Sequence, residues 1–417
     1  MNSKAEIADF YTGAPVAPVD LQFRQQFIDQ IWDKLRTEHV LVTAPRRTGK
    51  TSVMNHLLDR PERDFITVYQ NVQDLKHPAD LFQTILDNFH EKHPQFLKQL
   101  TARGWKLITD SWERVSKRVE EVDAGGFKIA LRESDPNWHG NWKQHAEDLL
   151  NQIRKAGKPV LIIVDELPDM LLNMKAENVA EARDFMAWFR TQREVPTPSN
   201  DCVRWLLGGS INLAGTLDDL GGIDLINNIS MEELPVLTSV EVRSFVSEML
   251  GQRQVPIHVD VPQRVDERLG RPIPLFLQMV TQDLYRLWKK EQRTLVVADV
   301  DAVFRNLIVS MAAQDKLQHY YSRIERYYRE PRRAAAYQIL SLISQSGPTG
   351  LTRRALKAEF EKTLDAAAVV LPKHERDNEF NKLIRDLEND FYLCEIKKDR
   401  YDFASGLMKA WWGKYYA

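Results

Sequence analysis

A lysine, a hydroxyl and two carboxylates are the residues of this chain whose spacing points most directly to chemistry. Ala44-Pro45-Arg46-Arg47-Thr48-Gly49-Lys50-Thr51 has the G-x-x-x-x-G-K-[ST] spacing of a phosphate-binding loop, with Ala in place of the first Gly. In such a loop, backbone N–H groups at a helix N-terminus face phosphate oxygens. Gly49 allows the backbone a close approach, and the Lys50 ammonium neutralises the outer phosphates. The Thr51 hydroxyl is an oxygen ligand of the kind Mg²⁺ prefers. Ala44 to Ser52, in sequence Ala44, Pro45, Arg46, Arg47, Thr48, Gly49, Lys50, Thr51 and Ser52, are all candidate nucleotide contacts. Further along, the apolar run 160–164 ends in Asp165 and Glu166. A buried strand delivers its last residues to the carboxyl edge of a parallel sheet, where ligands bind in open α/β folds. Asp165 is then expected to hold Mg²⁺ through its water shell and Glu166 to polarise an attacking water.

These residues need elements to position them. Phe27, Ile28, Ile31, Trp32 and Leu35 recur at helical spacing within 23–36. Residues 39–43 (HVLVT) read as a buried strand, 51–60 as a helix, 65–72 as a second strand and 78–97 as a second helix. Strand, loop, helix and strand in that order predict a parallel α/β sheet. Residues 98–136 interrupt the pattern and read as an insertion or an early hairpin, with a short strand at 127–131. A helix at 138–155 closed by Gly157, a strand at 159–164, a helix at 183–193 and a strand at 203–207 follow. The expected organisation is an α/β P-loop NTPase domain at 1–234, a helical lid at 235–330 and a third domain at 331–417.

Composition excludes several classes. The 417 residues are 43% apolar and 28% charged, with a net charge of −2, inside the range of globular proteins. The net charge gives no global attraction to nucleic acid or acidic lipid. No apolar run is long enough to span a bilayer, and residues 1–14 carry no apolar signal core, so a cytoplasmic location and no membrane partner are expected. Two cysteines, Cys202 and Cys394, make no disulfide framework, and no Cys/His spacing suits zinc. His39 reads as a structural residue, and Trp138 and Trp142 as core.

The stretches TAPRRTGKTSVMNHL, PVLIIVDELPDML, WLLGGSINL and GRPIPLFLQ, with the C-terminal DLENDFYL and YDFASGLMKAWWGKYY, resemble the archaeal-type AAA+ ATPases of the STAND-related branch. That resemblance implies ATP or ADP with Mg²⁺ as ligands and nucleotide-dependent homo-oligomerisation. It also implies sensor-1 polar groups at Ser210 and Asn212, and a Pro272 packed near the base. Of the family's upstream base-side element only Arg24 remains. Arg190 and Arg193 stand where an arginine finger is usual, with Arg204 a third candidate.

Residues 331–417 read as a winged helix, with helices at 334–345, 351–360 and 380–389 and strands at 391–396 and 400–403 around Lys397-Lys398-Asp399. The segment holds 15 basic and 12 acidic residues, a modest excess for a DNA binder. Trp411, Trp412, Tyr415 and Tyr416 are expected to pack the tail onto the body. The function expected is an ATP-hydrolysing switch that regulates a DNA-related process such as transposition, defence or replication, with double-stranded DNA and a separate effector protein as partners. The alternative is a slow signalling ATPase acting through protein contacts alone.

Overall fold

Five strands, β1 (Val40–Thr43), β2 (Ile66–Asn71), β3 (Val160–Asp165), β4 (Val203–Gly209) and β5 (Ser230–Glu233), form one parallel sheet in the order β2-β3-β4-β1-β5. This computed structural model describes residues 8–62, 65–101, 137–194, 201–209, 216 and 226–417. The expected strand at 127–131 and most of the insertion around it lie outside them.

The sheet is covered on both faces, which is why β3 and β4 are wholly buried along their length rather than alternating. Strand parity divides the core. Val40, Val42, Leu161, Ile163 and Leu206 pack with α1 (Gln25–Leu35) and α2 (Lys50–Asp59). Leu41, Val68, Ile162, Val164, Trp205 and Leu207 pack on the other face. There they meet α3 (Pro78–Lys92), α4 (Pro94–Thr101), α5 (Trp142–Ala156), α6 (Leu167–Glu177) and α7 (Val179–Glu194). Trp138 and Trp142 are buried in this second core, as expected, with Trp142 edge-on to Trp188.

Several expected boundaries move for local reasons. The helix expected at 78–97 is two helices, since Pro94 lacks the N–H needed to continue the first. α5 begins at Trp142, after a turn, and ends at Gly157, whose left-handed φ of 68° closes it. α7 starts earlier than expected, where Asn178 Oδ1 accepts the Ala180 N–H at 3.0 Å.

These elements belong to one compact unit, Val16–Ala44 with Gly49–Pro235; Met1–Pro15, Pro45–Thr48 and Val236–Ala417 make a second. The second opens with α8 (Ser239–Gly251), capped reciprocally by Thr238 and Glu241. α9 (Val261–Leu269), α10 (Pro274–Glu291), α11 (Val297–Val309) and α12 (Met311–Tyr327) follow. Within this unit the N-terminal stretch is tied down: the Arg253 guanidinium lies 4.2 Å from the Phe10 ring centre, and Tyr11 N–H donates to Gln278. Arg46 Nη1 donates to His319 Nε2 of α12 at 2.8 Å.

The chain ends with α13 (Arg332–Ser344), β6 (Leu351–Thr352), α14 (Arg353–Ala366), α15 (Lys373–Asn389), β7 (Leu393–Lys397), β8 (Arg400–Phe403) and α16 (Gly406–Tyr415). The three strands form an antiparallel sheet in the order β6-β8-β7. Gly350 has φ +57°, and a Cβ there would overlap the Tyr401 carbonyl, so only glycine fits before β6. Trp411 and Trp412 are buried, Tyr416 stacks on Tyr321, and Tyr415, though 41% exposed, accepts from Gln314 Nε2 at 2.7 Å. Among the described residues no helix is long and apolar enough to cross a membrane.

Candidate nucleotide site

The phosphate loop leaves β1 at Ala44, which is buried, and enters α2 at Lys50. Its turn is held internally by Thr48 Oγ1, which donates to the Pro45 carbonyl at 2.6 Å. Arg47 takes a left-handed φ of 65° and Gly49 one of 102°. At Gly49 a Cβ would meet nothing within 4 Å, so the backbone angle rather than space demands glycine. Gly49 stands at the N-cap of α2, leaving the helix's first N–H groups without an intrahelical partner, the arrangement that receives anions.

Strand parity brings the second half of the site to the same face. Asp165 follows Leu161 and Ile163 on the side of β3 that faces α2, and Tyr69 on β2 and Gly208 on β4 share that side. Asp165 is fully buried and heavily engaged. It forms an ion pair with Lys50, accepts from Thr51 Oγ1 at 2.8 Å and Tyr69 Oη at 3.3 Å, and accepts from the Glu166 N–H at 3.0 Å. Burial, and then the Asp165 charge, push the Tyr69 phenol above its ordinary range, so Tyr69 remains the donor in this contact. Lys50 also lies 3.4 Å from Glu166 Oε1.

Glu166 holds a left-handed φ of 63° at the N-cap of α6. A non-glycine residue in that region is a local strain of the kind found at functional positions. At Gly208 a Cβ would stand 2.5 Å from Asp165 Oδ1 and 2.6 Å from Met54 Cε, so any side chain there must displace them.

Thr51 and Asp165 suit Mg²⁺ by chemistry and spacing. Both offer oxygen, and octahedral Mg–O bonds of about 2.0–2.1 Å place neighbouring ligands about 2.9 Å apart. The observed Oγ1–Oδ2 separation of 2.8 Å fits that edge.

The remaining expected residues fall in different places. Ser52 is buried, and its hydroxyl accepts the Val16 N–H at 2.9 Å, so it anchors the lead-in segment. Arg24 is buried at the N-cap of α1. Ser210 and Asn212 lie outside the described residues. Pro272 is buried in the second unit, before α10. Arg193 is fully buried with its guanidinium 4.5 Å from the Phe189 ring centre, which removes it as a finger offered to another molecule. Arg204 is likewise turned inward, donating to the carbonyls of Leu35, Arg36, Asp201 and Val203. Arg190 lies at the surface beside Glu194. Tyr69 and Gly208 are the site residues that sequence reasoning missed. His39 is structural, as read: it bridges the Arg193 carbonyl and the Trp205 N–H.

A family model described as an AAA domain matches residues 34–215, the segment that carries the loop, Asp165 and Glu166. No curated protein matches the chain's sequence. Among solved structures, a Walker-type ATPase of Pyrococcus abyssi superposes with a TM-score of 0.61 at 15% identity, covering 96% of this chain and 99% of that one. The ORC2 protein of Aeropyrum pernix superposes with a TM-score of 0.53 at 12% identity, covering 94% and 92%. The fold and the matched segment define the class: this is an ATPase of P-loop fold, and its residues 34–215 are similar to an AAA domain.

Proposed function

We propose that the chain is a Mg²⁺-dependent AAA+ switch of the STAND-related branch that binds and hydrolyses ATP. The observation that carries this reading is the single cluster formed by Lys50, Thr51, Asp165 and Glu166 at the carboxyl edge of the sheet. The ORC2 protein of Aeropyrum pernix is described in ADPNP and ADP complexes, which supports an adenine nucleotide here. Thr51 and Asp165 hold the metal, which when bound supplies charge neutralisation to the outer phosphates. Lys50, now shared between two acids, turns to the phosphate oxygens. Glu166 accepts a hydrogen bond from the attacking water and orients it in line. The α2 N-terminus and loop amides stabilise the charge that develops. Ser210 and Asn212 serve as sensors, and Arg190 is the remaining finger candidate if copies assemble. Pro272 is the residue proposed to pack near the base. The location is cytoplasmic.

The output domain in this reading is a winged helix at 331–417, and the regulated process is DNA-related. One observation favours the alternative of a protein partner. α15, the third helix of that domain, carries four basic and five acidic residues. Many of the domain's cations are already engaged: Lys357 with Asp377, Arg353 with Asn381, Arg376 with Asp365, and Arg332 with Glu379 and Asp386. A surface so neutralised releases few counterions on meeting DNA.

The test is equilibrium binding of ATP and ADP with and without Mg²⁺. The wild type binds both, and Mg²⁺ tightens ATP. Lys50→Ala weakens both by about 100-fold or more, the scale of a lost charge-assisted contact. Equal affinity in wild type and Lys50→Ala would refute the site.

A further inference from the structure

Helix α12 carries buried donors that the nucleotide chemistry above does not use. Tyr320 is 3% exposed and its Oη has no hydrogen-bond partner. Arg323, three residues on and so on the same side of the helix, is 5% exposed, and its Nη1 has no partner either. Leaving a buried donor unsatisfied costs about 1–3 kcal/mol, and more when it is charged. Two such groups one turn apart therefore mark a place built for an acceptor.

The surroundings specify which acceptor. Arg47 adjoins Arg46, which is fixed to His319 on the same helix turn, and the Arg47 and Arg323 guanidiniums both act on Tyr320. Arginine only donates, so His319 Nε2 is the acceptor in that bond and its ring is neutral. The ring is pushed down to about 4 by burial and by four guanidiniums, those of Arg46, Arg323, Arg47 and Arg326. Burial likewise pushes the Tyr320 phenol up to about 12, so it stays protonated and able to donate.

One buried carboxyl, Asp390, acts on this cluster. It is pushed up to about 6 by burial, and one of its oxygens is occupied by the Tyr328 hydroxyl at 2.8 Å. Among the described residues no carboxylate lies within ion-pair distance of Arg323. Against burial, the Asp390 charge holds the Arg323 guanidinium above its ordinary range, yet Arg323 Nη1 still donates to nothing, and a ligand anion would satisfy it.

We propose that Tyr320, Arg323 and Arg47 form an oxyanion site in the second unit that takes a phosphate group. Phenol and guanidinium donors together match the several acceptor oxygens of a phosphate better than a single carboxylate. Two sources offer that chemistry. One is the outer phosphate of a nucleotide held by the loop to which Arg47 belongs, and this source rests on the nucleotide reading above. The other is a phosphate brought by a separate molecule, and this one does not.

The experiment uses the full chain as wild type, Tyr320→Phe and Arg323→Gln. Dissociation constants are measured for ADP and for a non-hydrolysable ATP analogue. The rise in unfolding midpoint caused by inorganic phosphate is measured on the same proteins. If the nucleotide is the source, Arg323→Gln weakens the analogue about tenfold or more relative to ADP, and Tyr320→Phe does so several-fold. If the source is separate, the analogue-to-ADP ratio holds, and phosphate stabilises the wild type but neither variant. Either result supports the site. A Tyr320→Phe protein with both the wild-type ratio and the wild-type phosphate response overturns it, and that variant, which loses one oxygen, decides the matter even where Arg323→Gln does not fold. Should the wild type bind neither nucleotide, the nucleotide reading fails by itself, and the phosphate response alone judges the oxyanion site.

Discussion

Asp165 organises the site at the scale of single residues, because one buried carboxylate receives an ammonium, a hydroxyl, a phenol and a backbone N–H. Thr51→Ala removes one of the two proposed metal ligands and one of those donors. Its ATP affinity should lose most of its response to Mg²⁺ while ADP binding without metal persists, measured by titration with and without the ion. A second residue-scale expectation concerns acid. His39 is pushed down to about 4 by burial, then by Arg193 and Arg204. A base whose folded pKa lies below its ordinary 6.5 binds fewer protons in the folded state. Its contribution is therefore whole above pH 6.5, falls as pH drops toward 4, and is absent below. The loss is about 3 kcal/mol over that window. Denaturant unfolding at pH 7, 5.5 and 4 should show a shallower fall for His39→Gln than for the wild type; equal slopes would remove His39 as a cause. Lys50, Thr51, Asp165 and Glu166 were legible in sequence because each half of the site is a contiguous motif. Tyr69 was not, because its meeting with Asp165 across 96 positions depends on the pairing of β2 with β3.

Elements decide what motifs cannot. The parity of β3 and β4 sends Asp165 and Gly208 to the same face, where a Cβ at 208 would collide with the Asp165 and Met54 side chains. Gly208→Ala should displace Asp165 or Lys50 and weaken nucleotide binding at least tenfold, with overpacking costing about 1–3 kcal/mol of stability. Circular dichroism and thermal unfolding beside nucleotide titration would check this; wild-type affinity would show that the strand can yield. The sheet's apolar strands were readable because runs such as 160–164 have no other use in a globular chain. β5 was not, since Ser-Met-Glu-Glu is a short edge strand with no buried residue. α6 escaped because it starts directly at the acid pair and its Pro168 reads as a breaker, though proline is well tolerated in a first turn. In the chain's last segment the helix order was legible, while α15 is longer than expected because its first two turns are charged rather than apolar.

For the whole molecule, the question is what the ATPase controls. Steady-state turnover with double-stranded DNA across a salt series separates the two readings. A DNA-driven switch shows stimulation that falls steeply with salt, whereas a protein-directed one is indifferent to DNA. The paired cations of 331–417 predict a weak salt slope if stimulation occurs. Sequence could not decide this, because a net charge does not reveal which cations are already bound to neighbouring acids. The central claim, however, is hydrolysis at Lys50, Thr51, Asp165 and Glu166. It is tested most directly by comparing steady-state ATP turnover of the wild type and Glu166→Gln at saturating nucleotide, with binding measured on the same samples. Unchanged ATP affinity with turnover reduced about 100-fold or more is the result expected of a positioned catalytic carboxylate. Wild-type turnover in Glu166→Gln would contradict the account and move the water-activating group elsewhere.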